Sequence, residues 1–160
     1  MMNAEIEARL RRLEGQQAIY QVVCGYGYAV DGLNAAAVGS FYTHDSVYAV
    51  GDIGAFNGRE AIEAITRDPG HVQLVASGCA HMSTLPHVLI EGDKAVATCH
   101  TMVSMHGPDG FYIGRLSASR RQLTRQEGGA RMIVHRQSFV LNGEPAATAL
   151  LGRLKEGPAA

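Results

Sequence analysis

The chain has 160 residues, a formal net charge of −1, 46% hydrophobic residues and 18% charged residues. This length is typical of one folded domain, and the hydrophobic share is enough for a buried core, so a disordered chain is excluded. The near-neutral charge argues against a nucleic-acid partner, which would require a basic excess on one face. The three cysteines show no CxxC spacing, which is typical of reduced thiols rather than a disulfide framework.

The N-terminal residues are charged and lack the apolar core of a signal peptide. No window of the sequence approaches the length of a membrane span. We therefore expect a soluble cytoplasmic protein that does not bind membranes. We expect a single domain over residues 1–160, with a core at about 5–142 and a C-terminal tail at 143–160.

Helical periodicity dominates the beginning of the chain. Apolar residues recur at helical spacing from Glu5 to Asp31, and Gly15 predicts a break or a tight join between two helical pieces. Asp31-Gly32 predicts the end of this helix, because glycine is favoured just after a helix C-terminus. Asn34 is a candidate N-cap for a short helix that follows.

The next forty residues give mixed signals. Ser46 to Val50 is typical of a strand, and Asn57-Gly58 is a turn that leads into a helix. We expect Asp68-Pro69-Gly70 to end that helix. Residues 71–80 are predicted to be a loop or an irregular strand.

Four long strands separated by turn residues are predicted for the second half, at 81–90, 95–105, 111–125 and 131–141. Their regular spacing predicts an antiparallel meander, and Pro86 indicates a bulge or an edge position. The basic residues between Arg115 and Arg125 are expected on a solvated strand face, with phosphate binding as the alternative. Helices followed by antiparallel strands indicate an α+β domain, in which the N-terminal helices pack on a curved sheet and enclose an apolar pocket.

Asp31 and His81 are the first candidates for chemistry. Asp31 ends an apolar helix, where the helix dipole disfavours an anion by about 0.3–1 kcal/mol, so the carboxylate needs a partner. His81 lies at the start of a predicted strand. A carboxylate that accepts a hydrogen bond from an imidazole makes a general base. An ordinary Asp-Gly turn and a surface histidine are the alternative interpretation.

Three further residues are candidates for the same pocket. Tyr26 lies on the helix face near Asp31 and is either a phenolic hydrogen-bond donor or a core residue. His100 lies in the middle of a strand, and either face of that strand is a possible inner face. Arg136 is either a salt-bridge partner or a clamp for an anion. The seven histidines show no metal-ligand spacing, and nucleotide-binding motifs are absent from the sequence, so we expect no metal and no cofactor.

Several segments of the sequence carry a resemblance to a known family. They are residues 25–31, 41–48, 57–62, 88–95 and 133–136, together with His81. In these segments the chain resembles the SnoaL-like branch of the nuclear transport factor 2-like superfamily, whose members form a cone-shaped, cystatin-like α+β barrel. The resemblance extends over nearly the whole chain.

The resemblance implies a catalytic role for each candidate. Scytalone dehydratase, bile-acid 7-alpha-dehydratase and hexachlorocyclohexane dehydrochlorinase use an Asp–His dyad to remove a proton, and Asp31 and His81 match that dyad. Arg136 matches an arginine that assists halide departure, and Tyr26 matches a tyrosine that holds a substrate oxygen. His100 lies near a strand position that carries a polar pocket residue in several relatives.

The implied function is a cofactor-free lyase or isomerase that acts on a small apolar cyclic molecule, such as a steroid or a polyketide. Two alternatives stay open: a hydrolase that uses the same dyad to activate water, and a non-catalytic ligand-binding or assembly module. A homodimer or homotrimer is expected, because the outer sheet face carries apolar residues that one subunit leaves uncovered.

Overall fold

A computed structural model describes residues 3–158, apart from the side chain of Asp52. These residues contain five α-helices: α1 (Ala4–Asp31), α2 (Ala35–Ser40), α3 (Arg59–Ala64), α4 (Pro69–Ala76) and α5 (Pro145–Gly152). They contain seven strands: β1 (Tyr42–Val50), β2 (Gly54–Asn57), β3 (Cys79–Ser83), β4 (His87–Glu91), β5 (Lys94–Gly107), β6 (Gly110–Arg125) and β7 (Arg131–Val140). Within the described residues, no helix is long and apolar enough to cross a membrane.

Helix α1 is continuous over 28 residues, so the predicted break at Gly15 is wrong. The side chain of Asn3 caps the helix by accepting a hydrogen bond from the Glu5 amide. Gly15 is buried, and a Cβ there would lie 3.5 Å from Ile90 and from Arg131. The small residue therefore reflects close packing on the sheet rather than a helix end. The end of the helix at Asp31, followed by Gly32, is confirmed.

Asp68 and Pro69 begin helix α4, whereas the sequence predicted only the end of a helix at this point. Helix α3 ends at Ala64 and is followed by a single 3-10 turn, after which α4 begins at Pro69. The Asp68 side chain accepts hydrogen bonds from the amides of Gly70 and His71, and a proline is well tolerated in the first helical turn. The prediction of a loop or irregular strand at residues 71–80 is therefore wrong up to Ala76.

The strands form one curved sheet in the order β2-β1-β7-β6-β5-β3, and β4 also pairs with β5. The predicted meander is confirmed for β5, β6 and β7, and so is the α+β class. One pairing departs from the prediction, because β1 runs parallel to β7. These two strands are far apart in the chain, so no turn residues between them indicate their relative direction.

The predicted strand at 81–90 is two strands, β3 and β4, which both pair with β5. The interruption includes Pro86, which cannot donate a hydrogen bond to a neighbouring strand. Strand β3 lies at the edge of the sheet. This edge faces the end of α1, where the two elements make many contacts.

The two faces of the sheet carry different partners. On the inner face, Ala95, Ala97 and Cys99 of β5 pack with α1 residues in the main core. On the outer face, Ala118 of β6 packs against Ala147 and Leu150 of α5. Residues of the same parity as Cys99 therefore face α1, and residues of the same parity as His100 lie on the opposite face, where α5 packs.

The arginines of β6 differ from the prediction of a solvated face, because Arg120 and Arg121 are only 2% and 0% exposed. Arg120 lies on the outer face and donates hydrogen bonds to the carbonyl oxygens of Arg153 (3.1 Å) and Glu156 (2.8 Å). Arg121 lies on the inner face, where its Nη1 is 3.0 Å from the sulfur of Cys99. Residues of the C-terminal segment thus cover one of these guanidinium groups.

Candidate active site

Asp31 and His81 meet where α1 ends beside β3. The His81 Nδ1 lies 2.5 Å from Asp31 Oδ1, and the His81 main-chain amide donates to Asp31 Oδ2 at 2.7 Å. Their side chains are only 15% (His81) and 23% (Asp31) exposed. Gly27 permits this approach, because a Cβ at that position would overlap with the His81 carbonyl oxygen. The carboxylate therefore holds both the ring and the backbone of the histidine.

This contact determines which nitrogen of His81 is available. An ionised carboxylate can only accept hydrogen bonds, so Nδ1 carries the proton and Nε2 keeps its lone pair. Burial lowers the pKa of His81, Asp31 acts in the opposite direction, and Arg115 and His71 lower the pKa further, so that the pKa lies below its ordinary value. The imidazole is therefore neutral near pH 7 and can accept a proton.

Cys79 is a third member of this cluster, and its Sγ lies 3.7 Å from Asp31 Oδ1. Asp31, Cys79 and His81 offer three ligand atoms within 4.8 Å of one another, which is a possible cation site. Burial and the neighbouring Asp31 raise the pKa of the Cys79 thiol, however, and a metal binds the thiolate. Both Asp31 oxygens also already accept hydrogen bonds. These contacts favour a hydrogen-bonded network over a metal centre.

A cavity of about 320 Å³ lies between α1, α4, β1 and the inner face of the sheet, and His81 forms part of its wall. This volume is at the small end of the range for ligand pockets. Most of the lining is apolar and includes Val30, Val50, Phe56, Ile65, Leu74 and Val103. The cavity can therefore hold a small molecule with a mostly apolar surface.

Arg136 lies in the cavity wall between two aromatic rings. Its guanidinium carbon is 4.2 Å from the centroid of Tyr26 and 4.1 Å from that of Tyr48. Its Nη1 donates to the Tyr42 hydroxyl at 3.1 Å, and the residue is 4% exposed. The alternative of a salt bridge for Arg136 is thus not realised within the described residues. The stack fixes a permanent positive charge at the cavity surface.

Tyr26 lines the cavity as well as packing in the core. Burial raises the pKa of its hydroxyl, so the side chain stays a neutral phenol that can donate a hydrogen bond. Both interpretations of Tyr26 from the sequence are therefore compatible with its position.

His100 does not belong to this site. It lies on the outer face of β5, is exposed, and pairs in register with Ala118, which packs on α5. The strand parity that the sequence left open places Thr101 and Val103 in the cavity instead. The expectation that His100 is a pocket residue is wrong for this reason.

The structure adds two residues that the sequence did not single out. His71 lies in the cavity with its ring centroid 5.6 Å from that of His81, and its Nε2 is 3.0 Å from the Val30 carbonyl oxygen. Arg115 also lines the cavity. The capping signal at Asp68-Pro69 would have placed His71 in the first turn of a helix, whereas only the sheet register identifies Arg115.

Comparisons with known proteins agree with this architecture. An NTF2-like protein with a cystatin-like fold from Novosphingobium aromaticivorans is 36% identical, with a TM-score of 0.90 over 94% of this chain and 98% of that one. Hexachlorocyclohexane dehydrochlorinase LinA-type3 from Novosphingobium barchaimii has 15% identity and a TM-score of 0.71, over 83% and 90% of the two chains. A putative aromatic ring hydroxylase from Novosphingobium aromaticivorans has 24% identity and a TM-score of 0.60, over 81% and 90%.

The comparison with curated proteins finds no match. The family model described as a SnoaL-like domain matches residues 11–136, which include the two residues of the dyad, His71, Arg115 and Arg136. The matched region extends from the first third of α1 into β7 and so contains nearly all of the sheet. The chain belongs to the SnoaL-like family, within the nuclear transport factor 2-like superfamily.

Proposed function

We propose that the protein is a cofactor-independent lyase or isomerase that removes a proton from a carbon atom of a small, largely apolar cyclic substrate. The observation that carries this proposal is the two-point contact between Asp31 and His81 at the wall of an apolar cavity. A buried neutral imidazole whose other nitrogen is held by a carboxylate has the arrangement of a general base.

In the proposed reaction, Nε2 of His81 accepts the proton, and Asp31 stabilises the imidazolium that forms. The electrons of the broken C–H bond form a carbon–carbon double bond as the leaving group departs with its own bonding pair. Arg136 stabilises that leaving group as an anion, and Tyr26 polarises a substrate oxygen by donating a hydrogen bond. The proton on His81 then passes to the leaving group or to water, which restores the neutral base.

Similarity to known proteins supports elimination in general terms. The dehydrochlorinase with the same fold is named for removing hydrogen chloride from a chlorinated six-membered ring. At 15% identity this similarity concerns the fold, so the chemistry proposed for the present chain depends on its own dyad.

The central test replaces His81 with Gln, which removes the basic nitrogen but leaves the main-chain amide that binds Asp31. A panel of cyclic steroid alcohols, polyketide alcohols and halogenated cyclohexanes is incubated with each variant, and products are identified by mass spectrometry. We expect kcat/KM to fall by about 10²–10⁴-fold for any accepted substrate. The control is His44→Gln, which changes an exposed histidine outside the cavity and is expected to leave turnover unchanged.

The product mass separates the proposed reaction from its alternatives. Elimination removes the mass of the leaving group together with a proton, isomerisation leaves the mass unchanged, and hydrolysis gives two products whose combined mass exceeds that of the substrate by one water. Equal turnover by wild type and His81→Gln would contradict the proposed base. Ligand binding without any turnover would instead indicate a binding module.

A further inference from the structure

Arg115 places a positive charge in the cavity wall. Its side chain lines the cavity and is partly buried. Among the residues whose side chains the structure describes, it has no hydrogen-bond or ion-pair partner, and none of those that line the cavity is an aspartate or a glutamate. Arg136 differs, because its guanidinium already contacts two rings and the Tyr42 hydroxyl. Arg136 keeps only its buried Nε without a partner, whereas the whole guanidinium of Arg115 lacks a hydrogen-bond partner among the described residues.

The sheet register places Arg115 on the same face as the dyad. His81 pairs with Val103, and Val103 pairs with Arg115, so the three residues form one row across β3, β5 and β6. Strands are about 4.8 Å apart, which puts the backbones of His81 and Arg115 about 10 Å from each other. A small molecule can bridge this distance between the two side chains.

A β-bulge directs this arginine towards the cavity. The pairing of β5 with β6 shifts between Val103 and Ser104, and Gly114 is the extra residue on β6. The Met105 side chain packs against the Cα of Gly114 at this point, where a Cβ would overlap with its sulfur. Bulges of this kind re-aim side chains and are common beside active sites.

The chemistry of a guanidinium specifies the ligand. In a low-dielectric cavity an unpaired positive charge attracts an anion strongly, and the planar donor fork of arginine matches a carboxylate with two parallel hydrogen bonds. The hydroxyls of Ser83, Thr101 and Ser117 line the same inner face and provide further donors. The remaining wall is mainly apolar, which suits a ring rather than a second charge.

We infer that Arg115 forms a carboxylate-binding subsite, and that the substrate is an apolar ring compound with one carboxylate. This inference rests on one part of the proposed function, namely that the cavity is the substrate site. The bound carboxylate fixes the orientation of the ring, so that one carbon faces Nε2 of His81. Arg115 is thus a specificity-determining residue, while His81 performs the chemistry.

The test compares pairs of ligands that differ only in the polar group: cyclohexanecarboxylate with cyclohexylmethanol, and 2-naphthoate with 2-naphthylmethanol. Isothermal titration calorimetry measures binding to wild type, His81→Gln, Arg115→Met and Arg115→Lys. Arg125→Met is the matched control, because Arg125 lies on the same strand but outside this cavity. Circular dichroism confirms that each variant is folded.

We expect at least one carboxylate to bind roughly 10-fold or more tightly than its alcohol in wild type, His81→Gln and Arg125→Met. Arg115→Met should abolish this preference, and Arg115→Lys should retain part of it. A preference that survives in Arg115→Met, or carboxylates that bind no better than alcohols in wild type, would overturn the inference. A carboxylate preference without turnover would leave the subsite standing and count against the proposed function alone.

Discussion

The environment of His81 sets the pH range in which the proposed base can work. Burial lowers its pKa from the ordinary value of 6.5, and Asp31 opposes the shift without cancelling it. Because the base must be neutral, activity is lost only when the pH falls through this lowered pKa. A histidine with the ordinary pKa would lose activity at a higher pH.

We therefore expect the acidic limb of the kcat/KM profile to have an apparent pKa below 6.5. Steady-state kinetics over a series of buffers at constant ionic strength would measure it. In Asp31→Asn the raising influence of the carboxylate is gone, so the limb should move to still lower pH while the plateau falls. An acidic limb at or above 6.5 in the wild type would contradict this description of His81.

At the scale of the elements, the contact between α1 and β3 positions the dyad, and Gly27 is its closest point. In Gly27→Ala the added methyl group would overlap with the His81 carbonyl oxygen, so the helix and the strand must separate. We expect a loss of stability of about 1–3 kcal/mol and a fall in kcat/KM. Urea unfolding and steady-state kinetics would measure the two effects.

Gly15→Ala is a matched control on the same helix, because its added methyl group would meet only ordinary van der Waals contacts at 3.5 Å. Alanine is a better helix former than glycine, so this variant should gain about 0.5–1 kcal/mol. If Gly27→Ala were as stable and active as Gly15→Ala, the close approach of α1 to β3 would not determine the site.

The elements that the sequence predicts well are those with local signals. The end of α1 at Asp31, the cap at Asn34 and the β5–β7 meander depend on glycines, caps and turns that lie next to them in the chain. At Asp68-Pro69 the local signal is ambiguous, because the same residue types end one helix and cap the start of the next. The parallel pairing of β1 with β7 had no local signal.

In the candidate site, too, residues with a local sequence signal were predicted, and residues placed by long-range contacts were not. The resemblance and the helix-end position identified Asp31 and His81, and the structure brings them into contact. His100 could not be assigned to a face of the sheet, because strand alternation does not show which face packs against α1. Arg115 and Arg121 appeared as part of a basic strand face, since the burial of β6 depends on partners from distant parts of the chain.

At the scale of the whole molecule, two partly buried histidines link stability to pH. Burial lowers the pKa of both His81 and His135 in the folded chain. In the unfolded chain both titrate near 6.5, so the unfolded state binds more protons as the pH falls below that value. Acid therefore favours unfolding in the window from 6.5 down to the lowered pKa values.

We expect the free energy of unfolding to fall between about pH 7.5 and about pH 5.5, as measured by urea denaturation at each pH. His135→Gln removes one of the two groups and should make the fall less steep, apart from any change in absolute stability. A free energy that rises on acidification over this range would show that the histidines are not held neutral by the fold.

The carboxylate of Asp31 belongs to the last residue of the longest helix, while the imidazole belongs to a strand at the sheet's open margin. The dyad therefore lies at the interface between the helix layer and the sheet, with one residue in each. We expect mild warming or dilute denaturant to separate the two groups before the core is disrupted. We therefore expect the proposed activity to be lost at a lower temperature or denaturant concentration than the folded core.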